Sequence, residues 1–184
     1  MRVDQWLPAV HRGDAVGDEA FRIRTVLRKK GIESDVFALT VDEGVDSEVY
    51  PFGKSDSFSP DVTILHFALA SSLTKAFLET KGKKILIYHN ITPSSFFVGY
   101  DDELVRIAEA GIKELATLPE FVDLALGDSE FNREQLQSLG FKRTGVLPIL
   151  MDFDGFLNGP AGCVMENMLN DGRANFLFVG RVYP

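Results

Sequence analysis

Residues 83–97, KKILIYHNITPSSFF, constrain the fold more than any other stretch. The consecutive apolar residues Ile85, Leu86, Ile87 and Tyr88 suit a strand covered on both faces, as in a parallel sheet. The strand is expected over residues 84–88; it runs straight into His89 and Asn90 and the chain breaks at Pro93. Open parallel sheets take ligands in the crevice beyond the carboxyl ends of their strands, which is where His89 and Asn90 would sit. The chain has three histidines. His66 closes the apolar run at 62–65, and His11 lies just beyond the opening strand, so all the imidazoles are expected at one edge of one sheet.

The remaining elements follow in order. Residues 2–7 read as a first strand, weakened by Asp4 and Gln5 and ended by Pro8. A loop at 9–17 carries His11, Arg12, Gly13 and Gly17; Ala20, Ile23 and Leu27 then share one helical face. That helix should stop at Gly31, with Ile32 folding back onto its last turn. Further strands are expected at 35–40, 49–52, 61–67, 121–126 and 145–150. Between them lie a helix capped by Ser71 or Ser72, a long helix at 101–118 striped by Leu104, Ile107, Ala108, Ile112 and Leu115, and a helix at 130–139 capped by Asp128 or Ser129. Gly140-Phe141 repeats the glycine-then-apolar stop. Alternating strands and helices predict an α/β, Rossmann-like, doubly wound and mainly parallel sheet with helices on both faces. With the strand order 3-2-1-4-5, the strands ending near His11, His66 and His89 become neighbours.

Residues 1–150 are therefore expected to form one domain. Residues 151–174 read as a linker around a short helical piece at 163–169, and 175–181, NFLFVGR, as another buried-type strand. A strand with no helix after it suggests a second domain cut off just after it begins. Either disorder past residue 152 or pairing of 175–181 with another copy of the chain is the expected consequence.

Composition narrows the function classes. Apolar residues make up 45% and charged residues 25%, a globular balance. A formal charge of −8 argues against nucleic acid as the main partner. The single cysteine, Cys163, cannot close an internal disulfide, no apolar run approaches the roughly 20 residues of a membrane span, and no signal-peptide core follows Met1. A soluble, cytoplasmic protein is expected. Arg22, Arg24, Arg28, Lys29 and Lys30 make the first helix basic; the simpler reading is a solvated face, the other a contact with an anionic lipid surface. Phe96, Phe97 and Tyr100 read as a loop over the sheet edge or as an acceptor-facing lid.

Three chemistries remain open for the edge. A glycosyl-transfer cleft would use the glycines before the first helix to approach a phosphate or sugar, with His89 and Asn90 bonding sugar hydroxyls. Gly13 and Gly17 do not have the dinucleotide-binding spacing, and a plain strand-to-helix turn explains them as well. A hydrolytic metal site on the three imidazoles is the second, although no pair has ligand spacing within one helix or loop. The third is a non-enzymatic, flavodoxin-like binding module, which usually carries an acidic cluster where this chain has His11, Arg12 and Asp14. His66 reads most simply as a polar residue at a strand end; the Asn90 and Pro93 that follow His89 argue against so plain a reading there.

The order of segments resembles the N-terminal, acceptor-side half of a retaining glycosyltransferase of the GT-B type, group 1 (family 4). The segments that carry it are LRKKGIESDVFAL, ILIYHNITP, FVDLALGDSEFNREQLQSLGF, VLPILMDFDGF and NFLFVGR. The resemblance implies two Rossmann-like domains facing across a cleft, the first holding the acceptor and the second the nucleotide sugar. It implies that Gly17 approaches the donor phosphates, that His89, the catalytic candidate, and Asn90 meet the donor sugar, and that Arg181 neutralises the leaving diphosphate. His11, Arg12 and His66 are left facing the acceptor, a glycan or a lipid-linked sugar. No metal or other cofactor is expected, the nucleotide sugar being a substrate. Two departures stand out: the first-loop glycines are not adjacent, and Ile149-Leu150 replaces the usual Asn-Gly.

Overall fold

The computed structural model describes residues 1–11, 13–44, 48–53, 59–151, 172–174 and 176. The chain divides into a unit Met1–Leu150 and a unit Met151–Pro184. Of the second, only residues 151, 172–174 and 176 are described, with Gly172 at φ +71°. The expected helical piece with Cys163, the strand at 175–181 and its pairing with another copy lie outside the described residues, as do Arg12 and Arg181.

The first unit is a seven-stranded parallel sheet in the order β3-β2-β1-β4-β5-β6-β7. The strands are β1 (Val3–Val10), β2 (Val36–Val41), β3 (Tyr50–Pro51), β4 (Val62–Phe67), β5 (Lys83–Tyr88), β6 (Leu124–Gly127) and β7 (Thr144–Val146). The helices are α1 (Ala15–Lys29), α2 (Leu73–Glu79), α3 (Asp102–Leu115) and α4 (Glu130–Ser138). The Rossmann-like class and the adjacency of β1, β4 and β5 are as the sequence pattern predicts.

Strand alternation sorts the core into two faces. Leu65, Phe67, Leu86, Tyr88 and Ala125 pack with Leu73, Phe77, Ala108, Leu115 and Leu136 of α2, α3 and α4. On the other face Val3, Ile64 and Ile87 pack with Ile23 of α1, and Leu7, Val36 and Ala38 pack with Ala20. Both glycine stops form as expected. Gly31 takes φ +75° while the Ile32 N–H bonds the Leu27 carbonyl at 3.1 Å; Gly140 takes φ +96° while Phe141 bonds Leu136 at 3.2 Å.

Several boundaries move, each for a local reason. β1 runs through Pro8 to Val10, because its rungs to β4 end at Trp6 and its rungs to β2 pass from Leu7 to Ala9, so no rung needs the missing N–H. Asp4 and Gln5, expected to weaken this strand, are fully buried in it: Asp4 takes the Arg2 guanidinium at 2.8 Å, and Gln5 is bonded at both ends of its amide. Neither Ser71 nor Ser72 caps α2 by its side chain; the Glu114 carboxylate of α3 instead accepts from the Ser71 N–H at 3.1 Å and from the Thr74 hydroxyl. α3 is shorter than the stripe suggested, capped by Asp101 and ended at Leu115, and its Ile107 is exposed. β6 starts later than residue 121, since Phe121 closes a turn onto the Leu118 carbonyl and Asp123 binds the β5 backbone at Lys84. β7 spans Thr144–Val146 in place of residues 145–150.

The first helix is not a bare basic face. Arg24 is buried, bonds Glu48 at 2.6 Å and lies 4.9 Å over the Phe21 ring; Arg22 donates to the Leu150 carbonyl, and Arg28 to Ser34 and Asp35.

Candidate functional site

The site grows out of the register of the strands. Gln5 pairs with Ile64, Ile64 with Ile85 and Ile85 with Leu124, so these side chains form one row on the α1 face. Two residues further along, His66 pairs with Ile87 and Ile87 with Leu126. Tyr88 and Gly127 are the last rung between β5 and β6, so His89 and Asp128 follow on the same face at the carboxyl edge. α1 crosses this face and brings Glu19 over the same point.

Hydrogen bonds give this cluster a direction. Gln5 Nε2 donates to the Ala20 carbonyl of α1 at 2.9 Å, so its Oε1 is the acceptor that faces His66 Nε2 at 3.0 Å. His66 therefore carries its proton on Nε2 and offers a lone pair at Nδ1. Nε2 of His89 lies 2.9 Å from that Nδ1 and must be the donor. The rings are coplanar within 4°, with centroids 5.2 Å apart, so they meet edge to edge through the shared hydrogen and do not stack face to face. Burial, reinforced by the neighbouring His89, holds His66 well below the usual imidazole range, in keeping with a neutral ring.

The far nitrogen of His89 points at two carboxylates. Nδ1 lies 3.7 Å from Glu19 Oε2 and 3.6 Å from Asp128 Oδ2, beyond hydrogen-bond range but close enough for charge to matter. Glu19 is fully buried and neither of its oxygens has a hydrogen-bond partner. Burial pushes it up to about 7; His89 opposes this, the Asp128 charge adds to it, and Arg22 and the Leu150 amide draw it back a little. Burial also pushes Asp128 up, but His89 and the Asn132 amide, which donates to Oδ1 at 2.9 Å, outweigh it and leave Asp128 below its ordinary value.

Above this buried cluster the chain turns sharply. Asn90 adopts φ +61°, the one positive φ outside glycine among the described residues, and its side chain is exposed. Asn is among the few residues that tolerate this conformation. The turn is pinned on both sides: the His89 N–H bonds the Phe67 carbonyl at 3.0 Å, and the buried Tyr88 hydroxyl accepts from the Ile91 N–H and reaches Gln135, each at 2.9 Å. Beside the turn is a cavity of about 190 Å³ lined by Asn90, Ile91, Thr92, Phe97, Leu69 and Ile107, among others. Phe97 packs inward, while Phe96 and Tyr100 are exposed.

The sequence-predicted residues separate accordingly. His66 and His89 meet; Asn90 stands over them. His89 turns both ring nitrogens into the protein, and its side chain is only 3% exposed. His11 is exposed and bonds Asp42 at 2.9 Å, a contact that raises it above the ordinary imidazole value, so it does not complete a three-histidine cluster. Gly17 lies in the first turn of α1, not in the loop, and a Cβ there would stand 3.2 Å from Val10 Cγ1, which marks it as a close helix–strand contact. Glu19, His66 and His89 are the set among the described residues whose ligand atoms come within 4.8 Å of one another. The His66–His89 hydrogen bond occupies the lone pair that a metal would need, so the set fits a proton chain better than an ion. Gln5, Glu19 and Asp128 were not singled out as site residues from sequence. Their signals were a polar residue on the alternating apolar face of a strand, for Gln5 and Asp128, and a carboxylate beside Ala20 and Ile23 on the packed face of a helix.

No family model matches the sequence, and no curated protein matches it significantly. Among solved structures, the chain is similar to an alpha-glucosyltransferase in complex with UDP and a 13-mer DNA containing a central A:G mismatch, at TM-score 0.56 and 14% identity. That match covers 84% of this chain and 42% of the other. An alpha-glucosyltransferase with UDP and a 13-mer DNA containing a HMU base matches at TM-score 0.56 and 13% identity, over 83% and 43% of the two chains. The alpha-glucosyltransferase (AGT) in complex with UDP matches at TM-score 0.56 and 11% identity, over 83% and 45%. The chain thus spans less than half the length of these structures and shares with that part a Rossmann-like parallel α/β fold.

Proposed function

We propose that this chain is the acceptor-side part of a glycosyltransferase that moves a sugar from a nucleotide-sugar donor to a glycan or lipid-linked acceptor with retention. The observation that carries the reading is the Asn90 turn: a polar, exposed, positive-φ residue at the carboxyl edge, beside a small apolar cavity. The fold likeness to UDP-bound glucosyltransferases supports it.

In this reading Asn90 and Thr92 bond sugar hydroxyls, and Phe97, Leu69 and Ile107 hold the apolar part of a ligand. His89 works from beneath, fixing the turn and setting the charge under it. Gly17 lets the start of α1 pack closely on β1, which brings the helix N-terminus to the same edge, where it favours a phosphate. Arg181 and a second lobe supply the charge that stabilises the departing diphosphate. Positioning and fixed charge, with no metal, carry the rate. The acidic chain has no duplex DNA as substrate. The protein works in the cytoplasm, with room for contact with a membrane through a lipid-linked acceptor.

The test uses the 184-residue chain with glycan and lipid-linked acceptors and labelled nucleotide sugars. Acceptors should shift the amide resonances of Asn90, Thr92 and Phe97, and Asn90→Gly, which keeps the turn conformation, should abolish the shift. No sugar transfer should occur. Turnover near an ordinary enzyme rate of ~10 per second from this chain, or acceptor shifts confined to other edges of the sheet, would sink the proposal.

A further inference from the structure

The deepest part of the cluster holds polar atoms with no partner at hydrogen-bond geometry: both oxygens of Glu19, and Nδ1 of His89. Buried polar groups are nearly always paired, so two unpaired ones that face each other ask for a cause. Nδ1 lies 3.7 Å from Glu19 Oε2 and 3.6 Å from Asp128 Oδ2, neither within hydrogen-bond distance; of the two carboxylates only Glu19 has no hydrogen-bonded side-chain partner of its own. We propose that Glu19 and His89 share one exchangeable proton between Oε2 and Nδ1, and that Glu19 is thereby a positioning residue for the Asn90 turn.

The hydrogen-bond chain makes this specific. Ala20, Gln5 and His66 fix the hydrogen of His89 on Nε2, so Nδ1 is the only ring position that can gain or lose a proton. With the proton present, the pair is a carboxylic acid beside imidazole or a carboxylate beside imidazolium; either way its net charge is zero. Loss of the proton to solvent leaves a carboxylate beside a neutral ring and a net charge of minus one. Nothing else changes hands. The groups facing the pair are Arg22 from α1 itself, His66 from β4, Asp128 from the end of β6, and the Leu150 backbone beyond β7. His66 is neutral, and Asp128 is the one of these carboxylates with an outlet to solvent, its side chain being 16% exposed.

The mechanical consequence follows from distance. A shared proton draws the atoms toward the ~2.8 Å of a charge-assisted bond, pulling α1 onto the end of β5. Without the proton, two carboxylates flank an uncharged ring and repel. The turn at Asn90 is continuous with His89, so the start of α1 and the ligand-facing turn become one proton-sensitive unit. This inference stands whether or not the protein transfers sugars.

Nitrogen and carboxyl NMR of the 184-residue chain tests it. His66 should hold the Nε2–H tautomer and stay neutral across the range, while His89 Nδ1 and the Glu19 carboxyl shift together with a common midpoint. Glu19→Gln should alter the pH response of the His89 Nδ1 resonance and leave that of His66 unchanged. Should that variant fail to fold, the common midpoint in the unmodified chain decides, and Asp128→Asn should displace that midpoint without splitting it. Separate midpoints for Glu19 and His89, an Nδ1–H tautomer at His66, or a His89 titration indifferent to Glu19→Gln in the folded variant would overturn the proposal. None of these readouts involves sugar transfer, so its failure leaves the functional reading to its own test.

Discussion

Glu19 sets the pH dependence that a single residue can give this protein. Its carboxyl is raised from the ordinary 4.5 to about 7 by burial. The folded state therefore holds a proton that the unfolded state releases between these values. That stabilises the fold fully below the lower value, and the stabilisation is lost as pH rises toward the upper one. At about 1.4 kcal/mol per unit, the loss reaches on the order of 3 kcal/mol. Glu19→Gln carries no such penalty. It should match the native chain in denaturant unfolding at pH 5 and exceed it at pH 8. Equal stabilities at both pH values would show that the native carboxylate is already satisfied.

Elements are tied at points where a side chain has no room. β6 meets α4 at Gly127, where an added Cβ would come 2.7 Å from Asn132 Cβ and 2.8 Å from the Arg133 backbone nitrogen. Neither neighbour is the free end of a flexible side chain, so Gly127→Ala must separate strand from helix. A loss of about 1–3 kcal/mol is expected in thermal or denaturant unfolding. Gly111 of α3 differs: its nearest neighbour, at 2.7 Å, is the terminal carbon of Ile91, which can rotate away. Gly111→Ala should cost less stability and instead disturb the Asn90 turn, visible as shifted resonances at Asn90 and Ile91. A larger unfolding penalty at Gly111 than at Gly127 would contradict this ranking. The helix stops at Gly31 and Gly140 were legible in sequence because their cause is local: glycine takes the left-handed position and the next apolar residue folds back. The cap of α2 was not, since its acceptor, Glu114, lies 43 residues from Ser71.

For the whole molecule, the sheet order decides which strand ends meet, and the net charge decides what may approach. Two of the similar glucosyltransferase structures contain DNA, whereas this chain carries −8. No measurable binding to a 13-mer duplex is expected by fluorescence anisotropy at physiological salt, where nonspecific binding depends on neutralising phosphates. Salt-sensitive micromolar binding would show that local charge overrides the total. No helix among the described residues is long and apolar enough to cross a membrane.

The sequence by itself determined the parallel α/β class, the existence of β1 to β7, and the adjacency of the strands ending near His11, His66 and His89; it placed the chain break at Pro93, and the left-handed turn at Asn90 came only from the structure. Those depend on periodicity, on local turn chemistry and on rules of chain crossing that operate over short stretches. Only the tertiary structure decided that His66 and His89 are bonded edge to edge, that His11 goes to Asp42 instead, and that Gln5, Glu19 and Asp128 complete the cluster. The physical reason is that a buried polar group is defined by its partners, and partners 61 residues apart, as Gln5 and His66 are, meet only once register and helix crossing are set.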